Sequence, residues 1–500
     1  MAQAKTEFEL KLTGSARDVA ALPQLALIRE IAAGPDEWER LTSIYYDSAD
    51  GRLARAGVSL RVRNDPSGKM LSAKIAAAGA APVARLESER LWRAGDDQFV
   101  TGVPEIDRII GENPDDLAPI VEIRVDRWSR LVETDGASME ISAEIGVAER
   151  ICAGPAASSV AEIEIELIKG DAAAVFALAG RLIAAFDGAL RPCGAAKLER
   201  SLAGGALKAE KPARIAIAAE DAAAEALAKA LGVVARAVSV NGEAAIAAHD
   251  SDAARRLRVA LRRLRAFERL FRRALEGEGL RDLAGRARDW GRLVARARDM
   301  EVFLAESLTL ADEPGLRARA EARLAAAWFD VGAGLVSAEF AQFTLDLFSA
   351  AHLERWRLDL APRAGLAVDQ YAEEALDRRW RRLLSTGEGV DFRAPESLHA
   401  LRLSLKKFRY AAQIFRDLYP KERRGGFFSA MSALQDGFGA INDAVVAQEI
   451  ADAASVGAGP AAARAAGFIA GYKSAQSAAA AAALEAQWRE FSALRPFWKG

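Results

Sequence analysis

The sequence predicts a multidomain α+β protein: an N-terminal eight-stranded antiparallel β tunnel barrel with flanking helices, then an all-α domain of two duplicated helical bundles. Three observations predict it. Short runs of alternating polar and apolar residues recur through residues 1–203, the period of strands with two unlike faces. The alternation stops at 204–216, where Gly204-Gly205 and Pro212 mark a linker. From 217 to 500 Ala, Leu, Arg and Glu dominate, and the helical text repeats itself at an offset of 144 residues.

Bulk composition excludes several classes. Five hundred residues exceed what one core holds, so two or three domains are expected. Hydrophobic residues make up 51% and mean hydropathy is near zero, enough to bury cores and too much for a disordered chain. The 68 basic and 70 acidic residues nearly cancel, so local sorting of charge carries the information. Cys152 and Cys193 alone indicate no disulfide framework and no Cys-rich zinc site, which fits a reducing compartment. The start, MAQAKTEFELKL, has no apolar core of a secretory signal, and the alanine run at 478–483 is too short and too weakly hydrophobic to span a bilayer. A cytoplasmic protein without a membrane partner is expected.

Each strand candidate sorts its charges onto one face. In Glu7-Phe8-Glu9-Leu10-Lys11, two carboxylates and an ammonium point one way, a set suited to a hard divalent cation carrying phosphate oxygens. Leu60-Arg61-Val62-Arg63 brings two guanidinium groups together, and Lys74 follows a Pro66-Ser67-Gly68 turn. Leu86-Glu87-Ser88-Glu89 gives a carboxylate pair. Val121 to Asp126 alternates ahead of Arg127 and Arg130, and Glu140 to Glu144 alternates before a turn at Gly146. Glu162, Glu164 and Glu166 put three carboxylates on one face. Helices are expected at 36–41, 105–112 and 171–186, and Tyr45 and Tyr46 are read as packing residues. A closed barrel of such strands with its charged faces inward would be a wet tunnel. Neighbouring carboxylates there repel unless cations sit between them.

These motifs resemble the CYTH superfamily, the triphosphate tunnel metalloenzymes. The resemblance covers residues 5–203. It rests on Glu7-x-Glu9-x-Lys11, Tyr45-Tyr46-Asp47, Ala56 to Arg63, Lys74, Arg85-Leu86-Glu87, Arg127, Glu162 to Leu167, and Lys197 with Arg200, in the family's order. It implies a tunnel that binds linear triphosphate with Mg²⁺ or Mn²⁺ and cleaves the terminal phosphoryl. On this reading Glu7, Glu9 and Lys11 are catalytic. Lys11, Arg61, Arg63, Lys74, Arg127, Lys197 and Arg200 hold substrate, arginine forks matching phosphate oxygens bidentately. Glu7, Glu9, Glu144, Glu162, Glu164 and Glu166 are the metal-ligand candidates. Glu144 departs from the Asp that relatives often carry.

In the helical half, Arg255, Arg258, Arg262, Arg265, Arg269 and Arg272 form one stripe at about 100° per residue, opposite Leu257, Leu261, Leu264, Phe267 and Phe271. The 144-residue offset pairs Arg255, Arg258, Arg262, Arg265 and Arg272 with His399, Arg402, Lys406, Arg409 and Arg416, and Leu257, Leu261, Leu264 and Phe271 with Leu401, Leu405, Phe408 and Phe415; Lys407 pairs with Arg263. Like charges at i,i+3 and i,i+4 cost helix stability, so two such stripes point to a polyanionic partner. Aromatic residues do not interleave them, which disfavours base stacking and a nucleic-acid partner. His399-x-x-Arg402, Lys406-Lys407-x-Arg409-Tyr410, Leu434-Gln435-Asp436 and Asn442-Asp443 resemble the CHAD domain over 217–495. That resemblance implies binding of inorganic polyphosphate by Arg255, Arg258, Arg262, Arg265, His399, Arg402, Lys406, Lys407 and Arg409, and a location at polyphosphate granules. The first repeat has Arg255 where the histidine is expected. The sequence reading is therefore an inorganic triphosphatase with a polyphosphate-binding domain. The alternatives are a nucleotide-directed tunnel enzyme, either a nucleoside triphosphatase or an adenylate cyclase, and a non-catalytic polyphosphate-binding protein.

Overall fold

The computed structural model describes residues 5–65, 68–76, 83–92, 99–111, 116–151, 157–274, 279–352 and 362–499. Pro66-Ser67 of the expected turn, Cys152 and the side chain of Arg85 lie outside the described residues. Nine strands are described: β1 (Lys5–Thr13), β2 (Glu37–Ser48), β3 (Val58–Asp65), β4 (Gly68–Ala76), β5 (Ala84–Leu91), β6 (Leu117–Thr134), β7 (Ala137–Arg150), β8 (Ala157–Lys169) and β9 (Arg191–Pro192). Their order is β5-β4-β3-β2-β6-β7-β8-β1-β9, antiparallel throughout. Lys5–Phe8 of β1 also pairs with β5, so the sheet curls until its ends meet; the short β9 joins β1 at Leu12 and Thr13. Closure leaves the long strands without a free edge.

Alternation decides what enters the ring. On β1, Leu10 and Leu12 are fully buried on the outer face. There Phe8 meets Phe176 of α5 (Ala172–Ala185) edge-on, with ring centroids 5.9 Å apart. Val58, Leu60 and Val62 of β3 pack outward with Leu71, Ala73 and Ile75 of β4 on Ile106 and Ile110 of α4 (Pro104–Gly111). Glu7, Glu9, Lys11, Arg61 and Arg63 take the other parity. Part of the interior is apolar: Leu41, Tyr45, Val121, Ile123, Val125, Ala148 and Val160 gather around Leu198 of α6 (Lys197–Leu202).

The sequence reading misplaces two local features. Residues 36–41 are not a helix; Glu37 to Leu41 open β2 and pair with β6 from Val125 to Ser129. Six residues are too few to separate a period of 3.6 from one of 2. Gly146 is not a turn but lies inside β7, where a Cβ would sit 1.9 Å from the Arg124 carbonyl oxygen, so only glycine allows the strands to approach. The short helices α1 (Ala16–Ala20), α2 (Ala26–Glu30) and α3 (Arg52–Arg55) carry too few turns to show a period.

The remaining helices are α7 (Ala223–Ala248), α8 (Ser251–Phe271), α9 (Gly279–Val302), α10 (Pro314–Leu335), α11 (Ala338–His352), α12 (Val368–Glu388), α13 (Pro395–Phe415), α14 (Lys421–Ser455) and α15 (Pro460–Ser492). Moved by the 144-residue offset, the bounds of α8 coincide with those of α13, and α7, α9 and α10 fall on α12, α14 and α15. Leu257, Leu261, Leu264 and Phe271 are buried, as are their counterparts Leu401, Leu405, Phe408 and Phe415. Among the described residues no single helix is long and apolar enough to cross a membrane.

Two compact units result. One comprises Met1–Arg214, Ala228–Ala260 and Ala333–Arg355, and the other Ile215–Leu227, Leu261–Gly332 and Trp356–Gly500. The first unit thus includes most of α7 and all of α11 beside the sheet. In the second, both halves of the repeat share one core, in which Met300, Phe303 and Leu316 pack with Ala447, Ala451 and Ile469.

Candidate functional site: a charged bore and a cationic groove

Inside the ring lies a cavity of about 360 Å³ lined by eight carboxylates and six cations. Strand register builds it. Lys11 lies opposite Glu164, Glu9 opposite Glu166, Lys74 opposite Glu87, Arg127 opposite Glu144, and Arg61 opposite both Tyr45 and Ser72. These pairs set unlike charges or a hydroxyl beside a charge, except at Glu166, which faces Glu9 on one side and Glu140 on the other, and at Glu144, which also faces Glu162. Lys74 Nζ lies 2.6 Å from Glu7, 3.2 Å from Glu87 and 3.4 Å from Glu9. Lys11 Nζ lies 2.5 Å from Glu9 Oε1 and also pairs with Glu164. Lys197 reaches in from α6 to Glu144, with Glu162 at 2.7 Å and Glu164 at 3.7 Å. Arg127 donates to Glu140 at 2.6 Å, and Glu89 sits 3.8 and 3.6 Å from Arg61 and Arg63. The Nε atoms of Arg61 and Arg127 are buried without an acceptor among the described residues, donors with capacity for an anion.

The sequence-predicted residues divide accordingly. Glu7, Glu9, Lys11, Arg61, Arg63, Lys74, Arg127, Glu144, Glu164, Glu166 and Lys197 line the cavity; Glu162 and Arg200 do not. Glu162 is fully buried behind the wall, where Arg200 and Lys197 converge on it and remove it from any ligand's reach. Arg200 closes onto Glu162 and lies 3.0 Å from the Cys193 thiol. Glu87, Glu89, Glu140, Ser59 and Ser72 also line the bore and were not among the site candidates. The alternation of Glu87 and Glu89 with Leu86 and Ser88 was their visible signal, whereas serines are too common to single out. Tyr45 is both a packing residue and a lining residue: its ring is buried in the apolar cluster while its hydroxyl lies 3.5 Å from Arg61.

Charge is unevenly distributed around the wall. Burial would raise Glu164 and Glu162, but lysines and arginines outweigh it and hold both below the usual carboxylate range. The same carboxylates lift Lys11 and Lys197 above their ordinary values against the effect of burial. At the opposite corner burial pushes Glu7 up to about 8, helped by Glu9 and Glu87 and only partly opposed by Lys74. That corner sets one ammonium, Lys74, among three carboxylates. The folded state therefore holds a proton on Glu7 that the unfolded chain releases near pH 4.5, so metal-free stability falls as pH rises from there through about 8. Glu7→Gln mimics the protonated acid. Its melting temperature in chelator is expected to fall less than the wild type's between pH 6.5 and pH 9, as scanning calorimetry will show.

A divalent cation fits this corner by charge and by donor type. Hard cations take carboxylate oxygens, and two extra positive charges would balance the bore's excess of two carboxylates. Among the described residues no three acidic side chains are already gathered as a ligand set, because lysines occupy their oxygens.

In the second unit, Arg262, Arg265 and Arg269 of α8, Arg379 of α12, and Lys406 and Lys407 of α13 line a groove of about 210 Å³ with no acidic residue. Tyr371 locks the helices together: its hydroxyl donates to the Leu270 carbonyl at 2.9 Å and its ring stacks on Phe271 at 5.4 Å. Burial, with Arg378, Arg269 and Arg272 nearby, holds Arg379 down to about 10. Burial and the neighbouring arginines likewise lower Lys407 and Arg265. His399, Arg402 and Arg409 share α13 but do not line the groove; Arg409 donates to the Gln413 side-chain oxygen at 2.8 Å. Arg255 and Arg258 belong to the first unit's part of α8, where Arg255 pairs with Asp252 at 2.6 Å. Arg269 belongs to the predicted stripe though not to the predicted binding set, and Arg379 is new to both.

A closed antiparallel ring with an acidic and cationic bore, followed by a duplicated helical array, defines a two-domain class of tunnel protein. Family models agree: the CYTH domain matches residues 5–202 and the CHAD domain residues 229–452. The chain is a CYTH domain followed by a CHAD domain, and the CYTH family comprises tunnel enzymes that use divalent metal ions. Among solved structures, the CHAD domain from the plant Ricinus communis is 27% identical, with a TM-score of 0.50, over 58% of this chain and 98% of its own. PptA from Streptomyces chartreusis is 18% identical (TM-score 0.43), over 54% of this chain and all of its own. HpAC1 from Hippeastrum, a proposed adenylyl cyclase with a dominant triphosphatase activity, is 17% identical (TM-score 0.28), over 40% of this chain and 97% of its own.

Proposed function

We propose that the bore hydrolyses inorganic triphosphate to diphosphate and phosphate with Mg²⁺ or Mn²⁺, and that the groove holds inorganic polyphosphate. One observation carries the reading: carboxylates and cations alternate around a single cavity whose apolar lining is limited to Ala196, Leu198 and the buried ring of Tyr45. A nucleobase finds no exposed aromatic face there among the described residues, which favours the inorganic chain over a nucleotide.

Each group has a physical task. Arg61, Arg63 and Arg127 offer planar forks to phosphate oxygens, and Lys11, Lys74 and Lys197 add point charges. Glu7 and Glu9, with Glu164 and Glu166, would hold the metal, which when bound offsets phosphate charge and acidifies a water. A bore carboxylate accepts that water's proton. Catalysis is then positioning plus stabilisation of charge spreading over the departing phosphoryl oxygens. A panel of triphosphate, ATP and long polyphosphate against both metals tests this. Phosphate release fastest from triphosphate is expected; cyclic AMP from ATP, or binding without release, would overturn the assignment.

A further inference from the structure

Among the described residues Lys197 is the only bore cation carried by a helix; Leu198 and Arg200 pin that helix to the strands, while the segment that leads into it is held from outside the CYTH match. Segment 192–199 leads from β9 into α6. Helix α7, through residues that fall within the CHAD match, grips it at several points, all inside the first compact unit. The Gly194 amide donates to Ser239 Oγ at 2.9 Å, and that hydroxyl donates to the Pro192 carbonyl at 2.9 Å. Arg236 donates to the Gly194 carbonyl at 2.8 Å and to Glu199 at 3.0 Å. The other Glu199 oxygen accepts from the Ala196 amide at 2.7 Å and so caps the first turn of α6. Arg236 is itself fixed by Glu210, at 2.9 and 3.1 Å. Only two positions along α6 thus separate the Arg236–Glu199 pair from the residue whose ammonium group meets Glu144 in the bore.

We infer that Arg236 and Ser239 are positioning residues for the bore: the first helix of the CHAD match sets where Lys197 presents its charge to phosphate. A tunnel domain cut off before α7 would keep its ring but lose this register. A short helix such as α6, six residues long, is held by its caps and neighbours rather than by its own propensity, so loss of a clamp loosens its first turn, where Lys197 sits, while Leu198 and Arg200 keep the rest in place.

The kinetic part of the test rests on the hydrolase reading; the labelling part does not. In the full chain, amine acylation at Lys197, followed by peptide mass spectrometry, is expected to speed up several-fold in Arg236→Ala and in Ser239→Ala, because both open the segment locally. Ser239→Ala removes only two hydrogen bonds and keeps the test decisive should Arg236→Ala fail to fold. KM for triphosphate should rise about tenfold in Arg236→Ala with kcat little changed, the signature of lost uniform binding. In a Lys197→Gln background the same change should cost almost nothing further. Equal Lys197 labelling in wild type and both variants would overturn the inference, as would fully additive kinetic losses. Wild-type protein that fails to turn over triphosphate would sink the hydrolase reading alone, since labelling needs no substrate.

Discussion

Triphosphate turnover by Glu7→Gln/Glu9→Gln is expected to fall on the order of 10³-fold, a loss typical of removing a group that stabilises transition-state charge. Glutamine keeps the shape of each side chain and removes the charge that a hard cation requires. The fold should tolerate the change. Glu7 is protonated up to about pH 8 in the metal-free chain, so a neutral amide resembles the existing state. Glu9 gives up its 2.5 Å contact with Lys11, but Lys11 keeps Glu164, and Lys74 keeps Glu87 at 3.2 Å. A stability cost of about 1–2 kcal/mol follows from the weakened pairs. Initial rates with Mn²⁺, metal calorimetry and thermal unfolding check the three parts together. Near-wild-type rates in a folded double variant would move the chemistry away from this corner.

What the sequence disclosed follows from how short a pattern can be and still be read. Strand parity needs only five residues, so Glu7-Phe8-Glu9-Leu10-Lys11 already told which side chains share a face, and register then brought Lys11 opposite Glu164. The offset of 144 residues holds to the residue between α8 and α13, and it was legible because two 21-residue helices carry nearly six turns each. Two kinds of fact stayed hidden. Parity says which face a residue takes but not its depth, so Glu162 reads like Glu164 although Arg200 and Lys197 seal it behind the wall. Helical stripes say which residues align along one helix, but a groove needs several, and Arg379 enters from α12 with no signal of its own. The clamp of Arg236 on Glu199 is of the same kind: a contact 37 residues apart between two elements that each look ordinary.

The groove is expected to show the opposite trade from the bore: neutralising Arg265, Arg379 and Lys407 together to glutamine should weaken polyphosphate binding about 10³-fold and yet stabilise the ligand-free chain. Six cations face one another there without a lining carboxylate, and burial holds Arg379 down to about 10. A base whose folded value is depressed destabilises the fold at every pH below that value, since the unfolded chain binds its proton more tightly. Removing the charge relieves that repulsion by roughly 1–2 kcal/mol after solvent screening, enough to raise the melting temperature by a few degrees. Each lost phosphate contact should also flatten the plot of log affinity against log salt by about 0.7, so the triple variant loses roughly two units of slope. Retention on immobilised polyphosphate across a salt series measures both, and triphosphate hydrolysis in the bore should proceed at the wild-type rate. Such a pattern arises only where like charges are held together for a partner that neutralises them. A set of solvated surface arginines would instead lose neither affinity nor repulsion on neutralisation.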